Sequence, residues 1–198
     1  LVPFLSGLIG FALKALVVIT VMGMVGVEMT SFVAIIGAAG LAVGLALSGT
    51  LQNFAGGVII LILKPFKIGD FIEAQGFTGK VKEITIFATM LNTVDNKLVI
   101  VPNGPLSTGA LINYSAEELR RVDFTFGIAY GDDLPTFNKA IHDFIAADER
   151  ILKDPAPFIG LAALADSSVN FTVRVWANTP DYWGVFFDMN EKVYTKFP

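Results

Sequence analysis

From Met29 to Leu63 the chain carries no charged side chain. A helix crosses the hydrocarbon core of a bilayer with about 20 residues, so one straight rod of this length overshoots by roughly half. It must tilt strongly, break or turn into the interface. Ser48, Gly49 and Thr50 interrupt the apolar run, and Gln52 and Asn53 follow. Glycine is the residue best able to leave helical geometry, so the reading divides the run at Gly49 into a spanning helix, about 31–48, and a second helix, about 50–63. An earlier apolar stretch, about 4–27, supplies another span. Gly26 to Ser31 reads as a turn followed by an N-cap, so the two spans run antiparallel.

Charge is segregated along the chain. Lys14 and Glu28 are the only charged residues before Lys64, whereas the overall charged fraction is 16%. Ordinary soluble domains carry about 25%. The chain therefore joins a membrane region, 1–63, to a part of soluble character. The net charge of −4 and the absence of a Lys/Arg cluster argue against a nucleic-acid partner. No cysteine is present, which excludes disulfides, thiol catalysis and zinc ribbons. Lys14 is read as snorkelling or pairing with a helix outside this stretch; an ion-pathway role would call for a second charge nearby in sequence. The chain opens on Leu1 and is read as a fragment, with no targeting signal to judge.

Residues 37–47, GAAGLAVGLAL, are the most informative. On a helical wheel with Gly37 at zero, Gly40 and Gly44 fall at about 300° and 340°, and Ala38, Ala42 and Ala46 at about 100°, 140° and 180°. Leu41 and Leu45 lie between these flanks, at about 40° and 80°, while Ile36, Val43 and Leu47 cluster on the far side. Ala34, near about 60°, falls in the leucine sector and fits less neatly. Small residues let helix backbones approach closely in lipid. Two different small-residue flanks suggest glycine packing on a neighbour's alanine, a heterologous contact that closes into a ring. The leucines then face the axis and form an apolar constriction that blocks ions by dewetting. The bland alternative is a small-residue interface in an ordinary bundle.

The soluble part reads as two units, 64–116 and 117–198. The first is strand-rich, with Asp70–Gln75, Phe77–Met90 and Lys97–Val101 punctuated by Gly76, Gly79, Asp95, Asn96, Asn103 and Gly104, and suits a compact β domain. The second reads strand, helix, strand, strand, helix. Val122, Phe124, Phe126 and Ile128 alternate with polar residues, as do Val169, Phe171, Val173 and Val175. Phe137, Ile141, Phe144 and Ile145 form a helical stripe after an Asp132–Asp133 cap and Pro135. Trp183, Phe186, Phe187, Val193 and Tyr194 line the last helix. An α+β domain follows.

No catalytic constellation emerges. His142 is the only histidine, so no His-based metal cluster forms within the chain, and it is read as structural. Asp132 and Asp133 are read as capping rather than acid–base residues. Asp166, Ser167 and Ser168 read as a turn. Trp176, Tyr182 and Trp183 are read as core or interface. No glycine-rich loop has phosphate-binding or dinucleotide spacing. The chain is expected to be neither an enzyme nor dependent on a metal or cofactor.

Residues 37–53 (GAAGLAVGLALSGTLQN), 64–70 (KPFKIGD) and 101–104 (VPNG), in this order, resemble the small-conductance mechanosensitive channel (MscS) family. That resemblance implies a homoheptamer in the bacterial inner membrane, opened by bilayer tension to release ions and small solutes during hypo-osmotic shock. It implies an Sm-like β barrel and a ferredoxin-like α+β domain, both cytoplasmic and forming a hollow cage. By the same resemblance Leu41 and Leu45 are the pore seal. Gly37, Gly40, Gly44, Ala34, Ala38 and Ala42 are the interlocking positions of the pore helix. Gly49 is its main kink and Gly57 a second bend, while Lys64 and Lys67 are basic residues at the membrane–cytoplasm interface. Ser48 departs from the glutamine of the best-known member. The family's first membrane helix, and the strand that builds its C-terminal barrel, are expected to lie outside the chain. The rival readings are a ligand-modulated channel of the same family, a membrane-anchored scaffold or sensor, and, ranked lower, a transporter. A transporter would want polar or charged groups at the membrane midplane.

Overall fold

The computed structural model describes residues 2–26 and 28–196. Val27, the expected end of the first span, and Pro198, the expected terminus, lie outside them. Helix α1 runs from Val2 to Met24 and helix α2 from Thr30 to Leu63. Among the described residues α2 is the one helix both long and apolar enough to cross a membrane; the apolar part of α1, Ile9–Met24, is shorter.

Two expectations change here. Helix α2 is continuous through Ser48, Gly49 and Thr50, rather than two helices of about 31–48 and 50–63. The Ser48 hydroxyl donates to the Leu45 carbonyl at 2.8 Å, so the polar side chain is satisfied within the helix. In an apolar stretch the backbone keeps its internal hydrogen bonds, which outweighs the roughly 1 kcal/mol that a mid-helix glycine costs. The expected N-cap is also not formed. Met29 occupies the cap position without a side-chain bond, and its carbonyl accepts from Val33 at 3.0 Å.

Helix α2 ends at Lys64, whose backbone is left-handed (φ 49°, ψ 54°) and whose N–H donates to the Ile60 carbonyl. Five strands follow: β1 (Phe71–Ala74), β2 (Phe77–Ile84), β3 (Ala88–Asn92), β4 (Leu98–Pro102) and, after the short helix α3 (Asn103–Thr108), β5 (Leu111–Asn113). They form one antiparallel sheet in the order β4-β3-β2-β1-β5. The expected strand Phe77–Met90 is thus two strands, parted by a turn at Thr85–Phe87. Thr85 closes that turn: its N–H and hydroxyl both donate to the Ala88 carbonyl, at 2.8 and 2.7 Å. Ile72, Val81, Leu91, Val101 and Leu106 fill the core of this domain, together with Ile60 from α2 and Phe66 from the loop after it.

The second domain comprises β6 (Leu119–Ile128), α4 (Leu134–Ala147), β7 (Phe158–Leu164), β8 (Val169–Asn178) and α5 (Tyr182–Lys196). Its antiparallel sheet has the order β6-β8-β7, so a chain reading strand, helix, strand, strand, helix inserts its last strand between the first two. Val122, Phe124 and Phe126 of β6 and Phe171, Val173 and Val175 of β8 pack with Phe137 and Ile141 of α4 and Val185 and Met189 of α5. The expected stripe on α5 is only partly the core face. Phe186 and Val193 pack against the core, whereas Trp183, Phe187 and Tyr194 are exposed. Asp132 and Asp133 shape the turn before α4 rather than capping it through a side chain: Asp132 accepts from the Ala129 N–H, and Asp133 from the Thr136 hydroxyl.

Candidate functional site

Helix α2 is divided by its surroundings rather than by its backbone. From Thr30 to Gln52 every residue is exposed in the single chain. A methyl group added to Gly37, Gly40, Gly44 or Gly49 would meet nothing within 4 Å. Leu41 and Leu45 are each 66% exposed, and Ala34, Ala38 and Ala42 are exposed too. Among the described residues, nothing lies within 4 Å of a Cβ added at these glycines, and the leucines stand exposed beside them.

Below Gln52 the situation reverses. Asn53, Gly56, Gly57 and Ile60 recur at helical spacing, so they share one face, and that face meets the β domain. A methyl group on Gly56 would lie 2.5 Å from the Asn103 carbonyl oxygen. One on Gly57 would lie 2.3 Å from the carbonyl oxygen of Ile86 and 2.7 Å from the Asn103 amide nitrogen. Such distances leave no room for a Cβ. Gly57 therefore serves close approach between backbones here, inside an unbroken helix.

Polar groups complete this joint. The Asn53 side-chain oxygen accepts from the Gly104 N–H at 2.9 Å. Asn103 is fully buried, and both ends of its amide are paired: its Oδ1 accepts from the Thr89 hydroxyl at 2.8 Å, and its Nδ2 donates to the Thr85 carbonyl at 2.8 Å. A buried amide is costly unless its groups are paired, and these are. The Phe54 and Phe87 rings lie 6.3 Å apart across the same joint. Sequence reasoning did not single out Asn53, Gly56, Asn103 and Gly104 as a joint. The signal available was the VPNG run and a polar Asn53 at the end of an apolar helix.

The loop after α2 fastens the helix foot a second time. Phe66 is buried in the β-domain core, while Lys64 and Lys67 on either side are exposed. Asp70 turns the loop back by accepting from the Lys67 N–H at 2.9 Å and from the Asn113 amide at 2.8 Å. Both lysines thus sit at the foot of the apolar helix, with ammonium groups free to face headgroups or water.

The two domains meet at a clasp of aromatic and charged side chains. The Arg120 guanidinium lies over the rings of Tyr182, at 3.8 Å, and Tyr114, at 5.0 Å. The Tyr114 hydroxyl donates to Glu73 of β1 at 2.6 Å, and this bond to a carboxylate pushes its pKa upward. Farther off, Arg150 joins Asp148 at the end of α4 to Asp188 of α5 at 2.7 and 2.6 Å. The Arg150 hydrogen bonds hold the Asp148 carboxyl down at about 2.

Residues 49–116 match the family model for the mechanosensitive ion channel β-domain, and residues 122–197 that for the C-terminal part of the mechanosensitive ion channel MscS. The small-conductance mechanosensitive channel of Edwardsiella ictaluri is 46% identical over 96% of this chain and 66% of its own length. That of Helicobacter pylori is 41% identical over 81% of this chain and 58% of its own. The chain thus spans about two thirds or less of these relatives. The crystal structure of Helicobacter pylori MscS in its closed state matches with a TM-score of 0.89 at 35% identity, over 98% of this chain and 77% of that one. Arabidopsis thaliana MSL1 shares the fold, with a TM-score of 0.80 at 22% identity over 98% of this chain and 71% of that one. With both domain models matched in sequence order and the fold shared along nearly its whole length, the chain belongs to the MscS family of mechanosensitive channels.

Proposed function

We propose that this chain is the pore-forming subunit of a tension-opened channel, with several copies, seven by family resemblance, surrounding a conduit closed by Leu41 and Leu45. The observation that carries the reading is the contrast along α2. Gly56 and Gly57 are filled by the chain's own β domain, whereas Gly37, Gly40 and Gly44 face open space beside exposed leucines. Glycine in a helix interior costs about 1 kcal/mol relative to alanine, so a run of glycines with nothing beside them implies a neighbour outside the chain. A second copy offers Ala34, Ala38 and Ala42 at matching spacing.

Two stacked rings of leucine keep a narrow conduit dry. Bilayer tension favours the state of larger in-plane area, so it shifts the population toward outwardly tilted pore helices and withdraws the leucines from the axis. Gly49 is the pivot of that tilt, and a second bend at Gly57, used in closed forms, would first have to part this glycine from Ile86 and Asn103. Lys64 and Lys67 mark the cytoplasmic side by the positive-inside rule, which places the β and α+β domains in the cytoplasm beneath a bacterial inner membrane. Release of ions and small solutes during hypo-osmotic shock is the physiological role. No catalysis and no cofactor enter the mechanism.

Patch recording of the full-length protein in liposomes under controlled suction tests this. Leu41→Ser and Leu45→Ser hydrate the constriction and lower the opening tension. Unaltered gating in both would overturn the seal assignment, and a wild-type protein silent at lytic tension would overturn the channel reading.

A further inference from the structure

At the junction between the β and α+β domains lies an open cavity of about 770 Å³. Phe71, Tyr114 and Trp183 supply aromatic walls, Glu117 and Glu118 carboxylates, and Arg120 a guanidinium. The positions come from both domains, and ligand sites favour such junctions.

Arg120 is the unusual member. It is half-buried, and its guanidinium carbon lies 3.8 Å from the ring centre of Tyr182 and 5.0 Å from that of Tyr114. Among the described residues it forms no ion pair, and no side-chain hydrogen bond engages its guanidinium. Every other described arginine except Arg174 is salt-bridged: Arg121 to Asp123, and Arg150 to Asp148 and Asp188. Arg174 lies on the exposed side of β8. Stacking fixes the plane of a guanidinium while leaving its edge donors free, and that fork matches a carboxylate in bidentate fashion.

A lone anion is not what the cavity suits, because Glu117 and Glu118, which also line it, repel it. Their carboxylates, with the 57% exposed Trp183 indole, form the counterpart that ammonium groups seek. Opposite charges and an aromatic face within one cavity specify a ligand that carries both signs. We propose that this junction binds a small zwitterion, its carboxylate on the Arg120 guanidinium and its ammonium against Trp183 and the Glu117–Glu118 pair. A ligand so placed touches Tyr114, which is bonded to β1, and Trp183 of α5, so it bridges the two domains.

Calorimetric titration of the purified full-length channel with trimethylglycine tests this, with acetate and tetramethylammonium as probes of each half alone. The expected result is saturable binding of trimethylglycine, with acetate and tetramethylammonium each at least tenfold weaker. Glu117→Gln with Glu118→Gln, two exposed positions, weakens trimethylglycine binding threefold or more while strengthening acetate. Arg120→Gln weakens it tenfold or more. Arg120→Lys, which keeps the charge and loses the fork, falls between, and this ordering separates ligand contact from a folding defect. Absence of saturable heat, equal binding of acetate, or insensitivity to both the arginine and the glutamate changes would overturn the proposal. A cavity filled by a neighbouring copy would give the first of these results.

Discussion

Glycines in α2 play two opposite parts, and substitution separates them. A Cβ on Gly56 or Gly57 would press into backbone carbonyls at 2.5 and 2.3 Å, and backbone cannot step aside as a flexible side chain does. Overpacking of this kind costs about 1–3 kcal/mol. Gly56→Ala and Gly57→Ala are therefore expected to lower the thermal midpoint of the β domain, read by circular dichroism of the full-length protein in detergent. Gly40→Ala meets no atom of its own chain, and the same measurement should leave the subunit's midpoint in place. These two roles look identical in sequence, since GG at 56–57 and G at 40 sit in equally apolar surroundings. Only the approach of Asn103 and Ile86, far along the chain, distinguishes them.

Among the elements, alternation and helical stripes foretold β6, β8 and α4 with their buried residues, because one covered face leaves a period of two or of 3.6. Other features left no such trace. The turn between β2 and β3 carries Ile86 and Phe87 rather than glycine or proline, because it lies against the foot of α2, where apolar side chains are favoured. Helix α3 was hidden for a similar reason, since buried Asn103 looks like turn punctuation until its hydrogen bonds to Thr85 and Thr89 are seen. Gly49 signalled a break that the apolar stretch does not make, because backbone groups there have no water to turn to. The α4–α5 tie also had no sequence signature, its residues being scattered charges. Asp148, with its side chain only 7% exposed, is held near 2 by Arg150 against an ordinary value of 3.8. A lowered carboxylate pKa contributes stability above pH 3.8 that is lost as pH falls toward 2, about 2 kcal/mol in all. Asp148→Asn should remove roughly that much at pH 7 and flatten the pH dependence of unfolding between pH 2 and 4, followed through Trp176 and Trp183 fluorescence.

On the scale of the whole molecule, the exposed upper half of α2 and the anchored lower half fit the proposed assembly, in which copies meet through the upper helix. Gly44→Val places a branched side chain in the slot assigned to a neighbour's alanine, so it should change the tension threshold severalfold while leaving each subunit folded. Threshold pressure relative to an internal reference channel in the same patch reads this directly. A normal threshold would count against glycine–alanine interlocking and leave the fold untouched.

Ile60 and Phe66 are both seated in the β-domain core, on either side of the left-handed turn at Lys64. A helix pinned just before its end and again just after it has no slack: the bottom of α2 and the sheet beneath it travel together as one rigid piece. Any swing of the upper helix must then be taken up above Asn53, where Gly49 is the nearest glycine. In the proposed channel, force from the bilayer reaches the lower domains through this short stem, and load borne by those domains returns to the membrane along the same path.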